Sequence, residues 1–317
     1  MSSRPSHARF VAVGSGGDGL NESVIRDAIV HLSGKEKPNV LYLGTPSYDL
    51  AQSQTKQTIR FSETGCCVTA LPMADSTPTA AEIGAAFDAA DVILMSGGNT
   101  LFAMDRLMRL GVQEHLSRAM QRGAVLCGGS AGAICWFDGG HSDSMDPESY
   151  KKAKLASKSA KDDSAAPLSD DAKKSWEYIR VPGFGFLPGL CCPHHDIIQS
   201  NGILRAYDFD AMMLRHPGET GICFDHWAAL IVEGENYKII CPEGKEGSVV
   251  GEAGSETFSA DRLGRPGIWR KRVQDSTVVT ELVPAAGKIA DLLVRASEIV
   301  PDPRLERARC ENPDDLA

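Results

Sequence analysis

The stretch Gly123–Phe137, Gly-Ala-Val-Leu-Cys-Gly-Gly-Ser-Ala-Gly-Ala-Ile-Cys-Trp-Phe, is an apolar run that breaks into small residues around a single serine. Within it, Gly128-Gly129-Ser130-Ala131-Gly132 fits G-x-S-x-G, in which a strand turns sharply into a helix and leaves the hydroxyl exposed at the carboxyl edge of a sheet. Such a turn strains the serine backbone, and side chains larger than Gly or Ala beside it would crowd the strand, the helix or a substrate. Gly-rich turns of this composition also serve as plain connections in βα units, so the flanks decide between the two readings.

Toward the N-terminus the flanks alternate strand and helix. Ala8–Val13 reads as a buried strand, followed by Gly14-Ser15-Gly16-Gly17-Asp18-Gly19 and a helix Glu22–Leu32 capped by Asn21. The glycines match G-x-G-x-x-G, but a dinucleotide site also wants an acidic residue at the end of the second strand, where Val40–Leu43 runs into Gly44-Thr45. A tight βα turn is the reading kept. Helix Gln52–Glu63, strand Cys67–Leu71 and helix Ala80–Ala89, with Thr79 as N-cap, continue the alternation. Strand Asp91–Met95 empties into Ser96-Gly97-Gly98-Asn99-Thr100; helix Leu101–Leu110 carries the core stripe Leu101, Met104, Leu107 and Met108, and helix Val112–Arg122 leads to the serine strand.

Beyond the serine, Ser149–Lys174 is rich in Lys, Ser, Ala and Asp with almost no large apolar residues, and is expected to be a mobile surface insertion. Order returns at Trp176–Val181, and Gly183–Gly189 is a turn-rich approach to Cys191-Cys192-Pro193-His194-His195-Asp196. After a helix Gly202–Arg215, short strands are expected at Ile222–Phe224, Ala228–Val232, Tyr237–Ile240, Ile268–Val273 and Thr277–Val283, then an amphipathic helix Lys288–Ser297 and a frayed tail 301–317. The expectation is one α/β domain over residues 8–300, a three-layer α/β/α arrangement with a mostly parallel sheet and a β-rich C-terminal extension.

The 317 residues carry a formal net charge of −9 without a basic stripe, which argues against nucleic acid or an anionic membrane as partner. A small-molecule or short peptide substrate fits better. Nine cysteines without a C-x-x-C suggest neither a disulfide framework nor a zinc ribbon, so a reducing, cytoplasmic location is expected. Met1–His7 lacks an apolar segment, and no run is apolar enough to span a bilayer. No cofactor or metal is expected, and a homodimer is compatible with these features.

A serine needs a base to become a nucleophile, usually a histidine held by a carboxylate. Of eight histidines, His7, His31, His115, His216 and His226 fall in tails, helix surfaces or polar turns, which leaves His141, His194 and His195. Pro193 fixes the backbone before His194, and Asp196 is close in sequence, so His194 is the stronger base and His195 the filler. Metal binding by the doublet would need further ligands at defined spacing, which only His141 and scattered cysteines offer. Candidate acids are Asp138, Asp143, Asp146 and Glu148; Asp143 sits among hydrogen-bonding residues in His141-Ser142-Asp143-Ser144. Any of them alone also reads as a solvated loop carboxylate. Oxyanion donors would be the N–H of Ala131 and one from the Gly97-Gly98-Asn99 turn.

Taken together, Ser96–Thr100, Gly128–Ala133, His141–Ser144 and Pro193-His194 resemble the dipeptidase E and cyanophycinase family of serine peptidases, whose fold is similar to class I glutamine amidotransferases. The resemblance runs from Ala8 to about Val232. It implies Ser130 as nucleophile, His194 as base, Gly98 and Ala131 as oxyanion donors and Asp143 as the acid, with Asp138 or Asp146 as alternatives across a small gap. Members similar to dipeptidase E cleave dipeptides with an amino-terminal Asp and read a carboxylate with an arginine after the histidine. The family's glycine-histidine-glutamate stretch carrying that arginine is missing here, and Arg205 lies at a comparable distance; Asn99 and Arg205 are the substrate-binding candidates. A serine-type dipeptidase is thus the expected function. The alternatives are a catalytically silent relative that binds a peptide or partner, and an enzyme of amide transfer or esterolysis. Amidotransferase relatives carry cysteine at the elbow, whereas Cys127 lies in the preceding strand.

Overall fold

Strands rich in Val, Ile and Leu alternate with amphipathic helices through the first half of the chain, and a computed structural model describes residues 5–146 and 176–311. In order come β1 (Arg9–Val13), α1 (Ser23–Ser33), β2 (Asn39–Leu43), α2 (Ala51–Glu63), β3 (Cys67–Ala70), α3 (Ala80–Ala89), β4 (Val92–Met95), α4 (Thr100–Arg109), α5 (Val112–Gln121), β5 (Val125–Gly129) and the single turn α6 (Ala131–Ile134). Strands β1, β5, β4, β2 and β3 pair in parallel in that order. Their side chains alternate between faces, so two cores form. Val11, Val13, Val40, Tyr42, Val92 and Leu94 pack under Ile25, Ile29 and Phe61 of α1 and α2. Phe10, Leu41, Leu43 and Ile93 face Ile83, Phe87, Met104, Leu107 and Leu116 of α3 to α5. Each large apolar side chain buried in this way stabilises the fold by roughly 1.5–3 kcal/mol. Thr79 caps α3 through a reciprocal capping box with Glu82. In the α4 stripe Met108 alone points outward, 49% exposed.

The second half builds β6 (Phe137–Ser142), β7 (Ile179–Pro182), β8 (Leu187–Cys192), α7 (Arg205–Arg215), β9 (Gly221–Phe224), β10 (Ala229–Glu233), β11 (Asn236–Ile240), β12 (Val249–Val250), β13 (Thr257–Phe258), β14 (Ile268–Gln274), β15 (Thr277–Leu282), β16 (Ala286–Lys288), α8 (Ile289–Leu292) and α9 (Arg304–Glu311). The β-rich C-terminal part is divided among three sheets, β12 and β13 pairing only with each other. Strands β10, β11 and β16 extend the first sheet beyond β1, whereas β14 and β15 extend a second sheet ordered β15-β14-β9-β8-β6-β7. Strands β6, β8 and β9 of that sheet are parallel, so their carboxyl ends share one edge.

Asn21 does not cap α1, which starts at Ser23 after a turn Gly19–Asn21, and three further segments differ from the sequence expectation. The helix expected from Gly202 starts at Arg205, and that expected over Lys288–Ser297 is the single turn α8, with Lys288 itself paired to β11. Within the tail expected to fray, Arg304–Glu311 is helical: Leu305 and Ala308 are buried, and Arg309 pairs with Asp105 at 2.7 Å. The expected insertion 149–174 and residues 312–317 lie outside the described residues.

Candidate active site

Strands β1 and β5 run side by side with Val13 opposite Gly129, and both end at one sheet edge. Ser130 follows β5 at φ 56° and ψ −120°, donates its N–H to the Val13 carbonyl at 3.1 Å, and gives way at once to α6. The reversal requires small neighbours. A Cβ on Gly129 would lie 2.1 Å from the Ser15 carbonyl oxygen, and one on Gly132 would lie 2.2 Å from that of Met95. The Gly14–Gly19 loop is therefore a tight βα turn that braces the elbow, as the sequence suggests.

Strand β8 delivers His194. Its backbone also takes the left-handed region, φ 51°, and its N–H donates to the Gly14 carbonyl at 3.1 Å. The ring Nε2 lies 2.9 Å from Ser130 Oγ. Parallel pairing puts Cys192 of β8 beside Cys223 of β9, so the residues just past these strand ends also meet. There Nδ1 of His194 lies 3.0 Å from Nδ1 of His226, and Nε2 of His226 lies 3.2 Å from Asp18 Oδ2. Burial, then the charges of Arg205 and His226, holds His194 well below its ordinary pKa of 6.5. His226 is also lowered, chiefly by burial, against the pull of Asp18 and Asp196. Burial alone would raise Asp18, but Lys56, bridged at 2.8 Å, and His226 bring it below 3.8.

The turn after β4 closes the site on the other side. Gly97 donates its N–H to Gln57 and Asn99 donates its N–H to Pro46, at 3.0 and 2.7 Å. Between them the Gly98 N–H has no acceptor among the described residues, and the same holds for Ala131 at the start of α6. Gly98 is at φ 144°, and an added Cβ would meet the Pro46 carbonyl oxygen at 2.1 Å. Asn99 caps α4 by accepting from Phe102 at 3.0 Å, while its amide donates to the Tyr48 hydroxyl at 3.2 Å. Its side chain is thus committed to the turn.

The acid expected at Asp143 is not brought to His194. Asp143 faces Arg205 at 3.5 Å, because β6 carries it to a cluster beneath α7. There His141 donates its Nε2–H to Asp208 Oδ1 at 2.7 Å, stacks on Tyr178 at 4.0 Å, and accepts Arg205 Nη2 on its carbonyl oxygen. Arg205 is 1% exposed and lies 4.8 Å over the Tyr178 ring, so it is held inside the protein. The alternatives are also occupied elsewhere: Asp138 accepts from Gly189 and Arg295, and Asp146 accepts from Ser200 at 2.8 Å. Glu148 lies outside the described residues. His195 is buried beside Phe258 and 3.6 Å from Asp225. The partner that occupies His194 Nδ1 is His226, a residue that reads in the sequence as part of a polar turn. Among the described residues no group of three His, Cys, Asp or Glu is placed to hold a metal ion.

The geometry agrees with the chain's likeness to known proteins. The family model "Peptidase family S51" matches residues 10–240. The chain is 28% identical over 312 residues to a Trypanosoma brucei brucei protein named G2/mitotic-specific cyclin-1, covering 92% of this chain and 89% of that one. The cyclin name pertains to that protein. It is 27% identical over 190 residues to the uncharacterized peptidase YgaJ of Bacillus subtilis, covering 59% of this chain and 69% of the relative. In fold it is similar to the crystal structure of a peptidase from an acI-B1 Actinobacterium, with a TM-score of 0.53 at 17% identity over 80% of this chain and 96% of the other. The chain therefore belongs to peptidase family S51 and is a serine-type peptidase.

Proposed function

We propose that the protein hydrolyses peptide bonds of short peptides, dipeptides among them, through an acyl-enzyme on Ser130. The observation that carries this reading is the 2.9 Å approach of His194 Nε2 to Ser130 Oγ at a sharply reversed strand end. His194 takes the hydroxyl proton as the oxygen attacks the scissile carbonyl, then returns it to the leaving amine. The developing oxyanion falls to the N–H groups of Gly98 and Ala131, which come from two different chain segments. Water activated by the neutral His194 releases the acyl group. Arg205 spends its donors on His141 and Asp143, so nothing about it supports a preference for an acidic first residue.

A dipeptide panel with amino-terminal Asp, Glu, Arg and apolar residues, run on wild type and Ser130→Ala, tests the reading. Hydrolysis and fluorophosphonate labelling are expected in wild type and absent from the variant. Labelling that persists in Ser130→Ala would remove the serine from the mechanism.

A further inference from the structure

We infer that His226 and Asp18 act in series as the positioning group that a carboxylate supplies in an ordinary serine triad. The inference rests on the proposed roles of Ser130 and His194. The hydrogen-bond chain assigns every proton. If Ser130 Oγ–H donates to His194 Nε2, the His194 proton sits on Nδ1. That N–H then donates to the Nδ1 lone pair of His226 at 3.0 Å, which puts the His226 proton on Nε2, directed at Asp18 Oδ2 at 3.2 Å. One carboxylate at the far end thus fixes the tautomers of two rings.

Further hydrogen bonds and ion pairs hold the relay. The His226 backbone N–H donates to Asp196 Oδ1 at 2.8 Å, and Arg262 holds the other oxygen of that carboxylate at 3.1 Å. Asp18 lies in the glycine loop and pairs with Lys56 at 2.8 Å, its side chain 43% exposed. The groups facing His226 are therefore His194, Asp18 with Lys56, Asp196 with Arg262, and the adjacent Trp227, which carries Lys245 over its ring at 3.9 Å.

The arrangement behaves differently from a carboxylate placed directly on His194. When Ser130 gives up its proton, the resulting imidazolium points its Nδ1–H at a neutral ring, and the compensating negative charge lies one ring farther away. A proton taken up by the pair settles on His226, beside Asp18. His226 then presents an N–H to His194 Nδ1, which forces the His194 proton onto Nε2 and turns the wrong face to the serine. Activity is lost on the first protonation of the pair, not of His194 alone.

The test uses His226→Ala, His226→Glu and Asp18→Asn in the full chain, with kcat, KM and the acid limb of kcat/KM measured on a dipeptide that wild type cleaves. His226→Ala is expected to lower kcat about 100-fold with KM within threefold, since losing the orienting group in a triad costs up to about 10⁴. His226→Glu, which puts a carboxylate directly on Nδ1, should recover kcat to within tenfold of wild type and move the acid limb to higher pH. Asp18→Asn should lower kcat about tenfold and move the limb to lower pH. A merely structural role would give none of these opposed pH shifts. Circular dichroism establishes that each variant is folded; if His226→Ala is not, the other two decide. Wild-type kcat and an unmoved acid limb in folded Asp18→Asn, or kcat in His226→Glu no better than in His226→Ala, overturns the relay. Those results leave the Ser130 and His194 roles intact if Ser130→Ala and His194→Ala remain inactive, whereas activity in Ser130→Ala would overturn the mechanism itself.

Discussion

Ser130 and His194 stand 64 residues apart in the chain, yet both hold backbone φ angles near +50°, 56° and 51°, and their side chains meet at 2.9 Å. Each conformation costs on the order of 1–3 kcal/mol for a residue with a Cβ, and the surrounding structure has to impose it. Here the same carbonyl-lined loop does so at both positions: Val13 accepts from Ser130 and Gly14 accepts from His194. The strain is a property of the site. Ser130→Gly, which suits φ 56° without a Cβ, is expected to raise stability by about 1 kcal/mol while abolishing hydrolysis. Urea denaturation beside the dipeptide assay checks both halves, and a fall in stability would show the elbow unstrained.

Gly98→Ala tests the oxyanion turn. The new methyl group would stand 2.1 Å from the Pro46 carbonyl oxygen at a φ of 144°, so the turn must move and carry its N–H with it. Misplacing one oxyanion donor costs about 10²–10³ in kcat. The expected result is a loss of that size with a much smaller change in KM, measured by steady-state kinetics.

Acid pH should act on both activity and stability. His194 serves as base only when neutral, and burial, Arg205 and His226 all disfavour its charged form. Burial lowers His226 as well, so activity is expected to hold as the pH falls to 6.5 and to decline only below it, at the first protonation of the His194–His226 pair. The stability contributed by His195 follows the same sign. His195, pushed down to about 3 chiefly by burial, stays neutral in the fold, while the unfolded chain takes up a proton near 6.5. The His195 contribution is thus lost progressively as the pH drops from 6.5 toward 3, opposed below about 6 by Asp196 and Asp225, whose carboxyls burial raises in the fold. A kcat/KM profile and denaturation midpoints across this interval measure both, and an acid limb centred above 6.5 would contradict the burial argument.

The parallel sheet and the elbow were legible because their signals are local: apolar runs, glycine turns and capping residues lie within a few positions of one another. Ser130, His194, Gly98 and Ala131 could be proposed on that basis. His226 and Asp18 could not. They are 208 residues apart and become neighbours only because β10, which starts just after His226, pairs antiparallel with β1, setting Ala229 opposite Val13 where the Asp18 loop begins. In the sequence His226 lies in a polar turn, and Asp18 is one residue of a loop whose glycines draw the eye. Asp143 misled for the complementary reason, since its local polar company reflects the Arg205 cluster and says nothing about His194. A signal was present in the repeated placement of a histidine just after a short strand, at His194 and at His226, but it takes the sheet order to give it meaning.

The C-terminal helix offers a stability test remote from the site. Leu305 is 8% exposed, and Asp302 anchors the helix start by accepting from Arg304 and from the Arg180 backbone. Leu305→Ala is expected to cost about 2–3 kcal/mol, as large-to-small changes at buried leucines do. Chemical denaturation measures this, and a loss within about 0.5 kcal/mol, the range of an ordinary surface change, would mean that the helix is not docked.

Arg205→Met separates a structural arginine from a substrate-reading one. The guanidinium is 1% exposed, lies over Tyr178, and donates to His141 and toward Asp143. Removing it leaves the half-buried Asp143 carboxylate and the buried His141 carbonyl short of their donor, so stability should fall by about 1–3 kcal/mol, the scale for leaving a buried polar group unsatisfied. Because its positive charge also helps hold the His194 pKa down, the acid limb should move to higher pH. The ratio of kcat/KM for Asp-initiated against Ala-initiated dipeptides should stay within threefold of wild type. An arginine that gripped the substrate carboxylate would lose most of that ratio while leaving the acid limb in place, so the two measurements together assign its role.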